Sequence, residues 1–267
     1  MKLCIFYEMI DHKPINGSLF YCFEYYKFLL DNNKDIIFII HKSKNNKILD
    51  IFKNKYLLNE NDLKNIIFTN SIREIFKYTN NIDKILFLDT RSYKNNYPLI
   101  RTKNIYLYAN NDNYNKPESK NIKIYGYYDY QKFQYSTLLK FYFNIYPEIK
   151  KSKNNYFISS TLKNINEKIS EKFTNKYSNK YEKDVNNHLN NLFENFNTLV
   201  YIHSTLDTNN RIIIESAFYN KKIEFINDCN IIDSSNIRYE DAINNNIKKY
   251  YLTLDDILIK DFINENI

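Results

Sequence analysis

Arg211 and Glu215 stand four residues apart in HSTLDTNNRIIIESAFYNKKIEFI, His203 to Ile226, a stretch that runs from a polar turn through a mixed segment into an apolar strand. If Asn209 or Asn210 caps a helix, Arg211 falls in its first turn, where the positive end of the helix dipole disfavours a cation unless an anion is also present. A phosphate would be such an anion. Glu215, one turn on and on the same face, could accept hydrogen bonds from two neighbouring hydroxyls, such as those of a ribose. Together the two suit a nucleotide. The alternative is an exposed ion pair on an ordinary helix, a common and weak feature. Arg-Ile-Ile-Ile is also β-branched enough for a strand, and only the turn before it and the Asn220-Lys221-Lys222 stop after it favour helix.

Those residues need a scaffold, and the pattern around them supplies one. Short apolar runs alternate with longer amphipathic ones: LCIFYEM, SLFYCFEYYKFLL and DIIFIIH, then further strands at NIIFT, KILFLD, NIYLYA and IKIYGY. That alternation predicts a parallel α/β fold. Phe20, Phe23, Phe28 and Leu30, in the helical pattern from Ser18 to Leu30, read as sheet-packing residues. A helix over Gln131 to Phe143 is expected to end near Pro147, and the polar EIKKSKNN beyond it reads as a linker. A second set follows with NYFISS, LVYIHS and IEFI as strands and KYYLT as a further candidate, between helical patterns at Leu162 to Phe173 and Val185 to Phe196. The expectation is two Rossmann-like units, residues 1–147 and 148–267, the second reduced.

Composition sets outer bounds. At 43% hydrophobic and 26% charged residues the chain is globular rather than disordered. Its net charge of +7 favours approach to nucleic acid, sugar nucleotides or an anionic membrane surface, though it is spread along the chain rather than gathered in one block. Cys4, Cys22 and Cys229 form no Cys-x-x-Cys pair and read as reduced thiols in a cytosol. LCIFYEM is too soon interrupted by Glu8, Asp11 and His12 to be a signal peptide, and no apolar run approaches membrane-spanning length, so a soluble, cytoplasmic protein is expected. His12, His41, His188 and His203 are dispersed, and no metal is implied.

Only two glycines occur, Gly17 and Gly126. Gly17 lies in the loop after the first strand, where an open α/β sheet binds ligands and a backbone approaches them closely; a plain turn into the first helix is the alternative. Gly126 reads as a turn or bulge at the end of IKIYGY. There is no G-x-G-x-x-G, Walker or Gly-x-Ser-x-Gly motif, which argues against a P-loop kinase and a dinucleotide oxidoreductase.

Two α/β units in series, a glycine loop after the first strand, and R-x-x-x-E followed by an apolar strand together resemble the GT-B nucleotide-sugar glycosyltransferases. Within them, the order of NIYLYANND, FNIYPEIKK and NYFISSTLKNINEKI is similar to that in the T-even phage DNA β-glucosyltransferases. The resemblance implies sugar transfer from a nucleotide donor, a UDP-sugar, held mainly by the second unit, with the acceptor entering from the first across an interdomain cleft and no metal strictly required. By position it places Arg211 on donor phosphate and Glu215 on the ribose hydroxyls. Ser160, Thr161 and Lys163 become further phosphate contacts, a role that suits hydroxyl and backbone donors at a helix start, although Ser-Ser-Thr by itself reads as an N-cap. His203 and Ser204 would meet the diphosphate, or simply close a turn. The general base that takes the acceptor proton is Asp112 in this resemblance, with Asp89 after KILFLD and Asp11 after the first strand in reserve; without it, Asn110 to Asn113 reads as a turn. Gly17 joins the donor-side set.

Departures from the family are visible too. The second unit lacks one strand and its donor loop, with a helix over Lys172 to Asn195 expected in their place. The acceptor implied is a hydroxymethylated pyrimidine in phage DNA, which would place the enzyme in a host cytoplasm; a cell-surface glycan or glycolipid fits the charge almost as well. A different class remains open, a non-catalytic nucleic-acid or protein-binding module on the same fold, whose 26 Tyr and 19 Phe could stack on bases. Most of those rings fall inside strand and helix patterns, where core packing accounts for them.

Overall fold

Leu3–Glu8 (β1), Ile36–His41 (β2), Ile66–Thr69 (β3), Lys84–Phe87 (β4), Asn104–Ala109 (β5) and Ile122–Gly126 (β6) are short runs rich in apolar residues. In β1, β2 and β4 every residue is buried, as internal parallel strands covered on both faces require. The computed structural model describes residues 1–9, 17–42, 47–96, 100, 104–109, 122–126, 140–149, 152–159, 179–180, 192–203, 211–227 and 251–264. The six strands form one sheet in the order β3-β2-β1-β4-β5-β6, with every pairing parallel. That is the doubly wound Rossmann order, which reverses between β1 and β4.

Helices α1 (Gly17–Asp31), α2 (Lys47–Lys55), α3 (Glu60–Lys64), α4 (Ile72–Thr79) and α5 (Thr90–Asn96) alternate with the strands, α6 (Arg211–Phe218) lies far down the chain, and α7 (Ile257–Ile263) is the last. On one sheet face Cys4, Phe6, Ile37, Ile39, Ile85, Phe87, Ile105 and Leu107 pack with Ile75 of α4 and Tyr93 of α5. On the other, Phe23 and Tyr26 of α1 meet Phe38 at ring separations of 5.0 and 5.8 Å, and Phe262 of α7 meets Tyr106 at 5.4 Å. Of the residues expected to face the sheet, Phe23 and Phe28 are buried, while Phe20 and Leu30 are half-buried. Helix α1 is covered away from the sheet as well: Tyr21 and Phe28 pack on Phe141 and Tyr142. A helix enclosed on several sides needs no polar stripe, hence its aromatic sequence.

The chain forms two compact units, Met1–Ile145 with Tyr250–Ile267, and Tyr146–Lys249. The last stretch thus packs with the first unit rather than with the 148–267 unit expected from sequence. Its cause is apolar burial of Leu258, Ile259 and Phe262, reinforced by Lys84, whose Nζ donates to the carbonyls of Asp261 and Asn264 at 3.0 and 2.5 Å. Of KYYLT, Tyr251 makes an isolated parallel bridge to Phe141, and its first two residues lie outside the described ones.

In the second unit Asn155–Ser159 (β7), Asn179–Lys180 (β8), Thr198–His203 (β9) and Lys222–Asn227 (β10) pair in parallel in the order β10-β9-β7-β8. The short strand β8 lies inside the stretch read as a helix over Lys172 to Asn195, and Leu192–Glu194 is a single 3₁₀ turn. Asn and Lys, frequent throughout this chain, disguise a strand this brief. Lys140 to Tyr142 is likewise not helical and Phe143–Ile145 is one 3₁₀ turn, so the expected helix over Gln131 to Phe143 does not reach its end. Gly126 pairs in register with Ala109 rather than forming a bulge.

Asparagine does the work glycine usually does at helix ends. Asn33 and Asn220 carry φ of 56° and 54° after α1 and α6. In each case the next amide reaches back, Lys34 to the Leu29 carbonyl at 3.0 Å and Lys221 to that of Ser216 at 2.8 Å. This is a Schellman closure, and it fixes the helix stop that Asn220-Lys221-Lys222 predicts. No helix among the described residues is long and apolar enough to cross a membrane.

Candidate functional site

Helix α6 resolves the ambiguity of Arg-Ile-Ile-Ile in favour of helix, because Ile213, Ile214 and Ala217 are buried where it packs against β9 and β10. In a parallel strand, helix, strand unit the helix starts on the side of the strands' carboxyl ends, which is where such sheets bind ligands. Arg211 is the first residue of α6 and Glu215 lies one turn on. Both are buried, at 9% and 8% exposure, so the pair is not the solvated kind. Arg211 Nη2 contacts Glu215 Oε1 at 2.7 Å. The anion that a cation demands at a helix start is therefore present within the chain.

A third group completes the arrangement. The Tyr146 hydroxyl accepts from Arg211 Nη2 at 2.6 Å and donates to Glu215 Oε1 at 2.7 Å. Its ring rests on Phe218 and Tyr219 at 5.8 and 6.2 Å, and Tyr219 Oη donates to the Pro147 carbonyl at 3.1 Å. Burial raises the Tyr219 phenol above its ordinary range, with Glu215 and Glu194 adding to the shift. Chemically this is a guanidinium and a carboxylate sharing one hydroxyl, a site able to recognise a group that both accepts and donates. Tyr146 was invisible in the sequence because it lies 65 positions from Arg211, beside a proline that reads only as a linker mark.

The first unit holds a separate polar cluster at the point where its strand order reverses. Asp89 follows β4 and caps α5: its Oδ1 accepts from the Ser92 amide at 2.8 Å and its Oδ2 from Ser92 Oγ at 2.5 Å. Burial raises the Asp89 carboxyl above its ordinary range, against the opposing effect of the Ser92 hydrogen bonds. Ser92 Oγ also accepts from the Glu8 amide at 2.9 Å, tying the end of β1 to α5. The Glu8 carboxylate is enclosed by Lys42 Nζ at 2.5 Å and by the Asn95 and Asn96 amides at 2.7 and 2.8 Å. Burial alone would raise the Glu8 carboxyl, but Lys42, Asn95 and Asn96 outweigh it and hold it below the usual range. Arg91 donates to the Glu8 carbonyl at 2.5 Å. Glu8 had looked like a mere interruption of an apolar run; its place at the strand end was the available signal.

Of the expected site residues, Arg211 and Glu215 are brought together, Asp89 belongs to the other unit, and Gly17 is exposed at the first residue of α1. His203 ends β9, paired with Asn227. Asp11, Asp112, Ser160, Thr161, Lys163 and Ser204 lie outside the described residues. Among the described residues no group of three or more His, Cys, Asp or Glu could hold a metal ion.

No protein-family profile and no curated protein sequence matches the chain. Among solved structures it is similar to an alpha-glucosyltransferase (AGT) in complex with UDP, with 11% identity over 91% of this chain and 71% of that one, at a TM-score of 0.35. The chain itself is a mixed α/β protein built on a six-stranded parallel, Rossmann-like sheet.

Proposed function

We propose that this chain is a glycosyltransferase that moves a sugar from a nucleotide-sugar donor, a UDP-sugar, to an acceptor hydroxyl. The observation that carries the reading is the buried Arg211 and Glu215 pair closed on a hydroxyl at the head of α6. Arg211 faces donor phosphate in this account and Glu215 accepts from the ribose hydroxyls, with Ser160, Thr161, Lys163, His203, Ser204 and Gly17 as further donor contacts. A carboxylate takes the acceptor proton while the acceptor oxygen attacks the anomeric carbon, and the bond from that carbon to the donor phosphate breaks to release the nucleoside diphosphate. Cationic side chains meet the charge left on the phosphate, so the step needs no divalent ion. Asp112 is the proposed base, with Asp89 and Asp11 in reserve. Asp89 is the less apt of these, because Ser92 engages both of its oxygens. The net charge of +7 supports a DNA acceptor, a hydroxymethylated pyrimidine that must leave the stack to react.

The test is a transfer assay with UDP-hexoses on hydroxymethylated duplex DNA. Wild-type transfer is expected, falling by about 10²- to 10⁴-fold in Asp112→Asn, which keeps the shape of the side chain and loses its basicity. Near-normal turnover in that variant removes Asp112 from the mechanism. Transfer to a glycan or lipid but not to DNA rejects the DNA acceptor alone.

A further inference from the structure

Tyr146 presents its hydroxyl to Arg211 and Glu215 in the pattern that a sugar hydroxyl would use, accepting from the guanidinium and donating to the carboxylate. We propose that Tyr146 is a built-in competitor for this subsite: its phenol stands where a ligand hydroxyl binds, and a ligand carrying a vicinal diol, such as a ribose, must displace it. The inference rests on the reading of Arg211 and Glu215 as nucleotide contacts.

Three features of the geometry support a displaceable occupant rather than a fixed strut. The Arg211 to Glu215 contact of 2.7 Å is direct, so the pair does not depend on the phenol to bridge it. Because the phenol oxygen is fixed to its ring, displacement moves the ring with it, and the ring contacts given up, with Phe218 and Tyr219 at 5.8 and 6.2 Å, are aromatic contacts rather than hydrogen bonds. The site is also short of water, both charged residues being buried, so a departing hydroxyl has to be replaced by another polar group; a diol does this with two hydroxyls in place of one. Tyr146 opens the second unit directly after the Phe143–Ile145 turn of the first.

Titration calorimetry of the full chain and of Tyr146→Phe with UDP and with 2′,3′-dideoxy-UDP tests this. The variant keeps the ring and loses only the hydroxyl. It should bind UDP about tenfold more tightly than wild type, the size expected when a competing hydrogen bond to charged groups is removed, and should show no such gain for the dideoxy analogue. Tyr219→Phe, which loses a hydroxyl to the Pro147 carbonyl instead, should leave UDP affinity unchanged. If wild type binds UDP and Tyr146→Phe binds it equally or more weakly, Tyr146 is no competitor while the donor reading stands. An equal gain for the dideoxy analogue overturns the diol competition. Absence of UDP binding by both proteins overturns this inference and the donor reading together.

Discussion

Arg211 Nη2 lies 2.7 Å from Glu215 Oε1, one helical turn apart, with both side chains nearly covered. A pair in that position is costly to break singly and cheap to replace whole, because removing one partner strands a buried charge. Arg211→Ala should lower stability by about 3–5 kcal/mol. The double replacement Arg211→Met with Glu215→Leu, similar in volume and uncharged, should cost less than Arg211→Ala, because no charge is stranded and the remaining loss is that of the two Tyr146 hydroxyl contacts. Urea unfolding of the variants checks both statements.

Glu8 makes the first unit acid-sensitive. Its carboxyl is held below the ordinary range in the folded chain, so it contributes stability that is present above the unfolded value of about 4.3 and lost as pH falls through the lower folded value. Glu8→Gln should therefore be less stable than wild type near neutrality, and the gap should narrow as pH drops from about 7 to about 3. Urea midpoints across that range are the measurement. A gap that stays constant would mean that the Lys42, Asn95 and Asn96 contacts act without regard to charge.

Lys84 fastens the last helix to the first sheet. Its Nζ reaches the carbonyls of Asp261 and Asn264, and burial lowers its ammonium below the ordinary range. Lys84→Met keeps the stem and leaves those carbonyls without this donor, a loss of about 1.5–3 kcal/mol for hydrogen bonds to a charged group. Hydrogen exchange should quicken in α7 first, while β1 and β2 keep their protection.

Much of the scaffold was legible because burial on both faces leaves an unambiguous mark. LCIFYEM, DIIFIIH and KILFLD became β1, β2 and β4, and NYFISS, LVYIHS and IEFI became β7, β9 and β10. The Asn220 stop was legible for a local reason, since asparagine tolerates a positive φ. What the sequence hid was non-local. Tyr146 meets Glu215 across 69 positions, Asn96 meets Glu8 across 88, and Lys84 meets Asn264 across 180; no spacing rule covers such reach. The destination of the C-terminal stretch was hidden likewise, because Leu258 and Phe262 announce a buried face without saying which unit buries it.

In the proposed enzyme Arg211 and Glu215 hold the nucleotide of the donor. Calorimetric titration of UDP into wild type and into the Arg211→Met, Glu215→Leu double variant decides this, since that variant is expected to fold. Wild type should bind, and the variant should bind at least about tenfold more weakly, the loss expected for hydrogen bonds to charged groups. Equal affinity in the two folded proteins, or no binding by wild type, would contradict the claim.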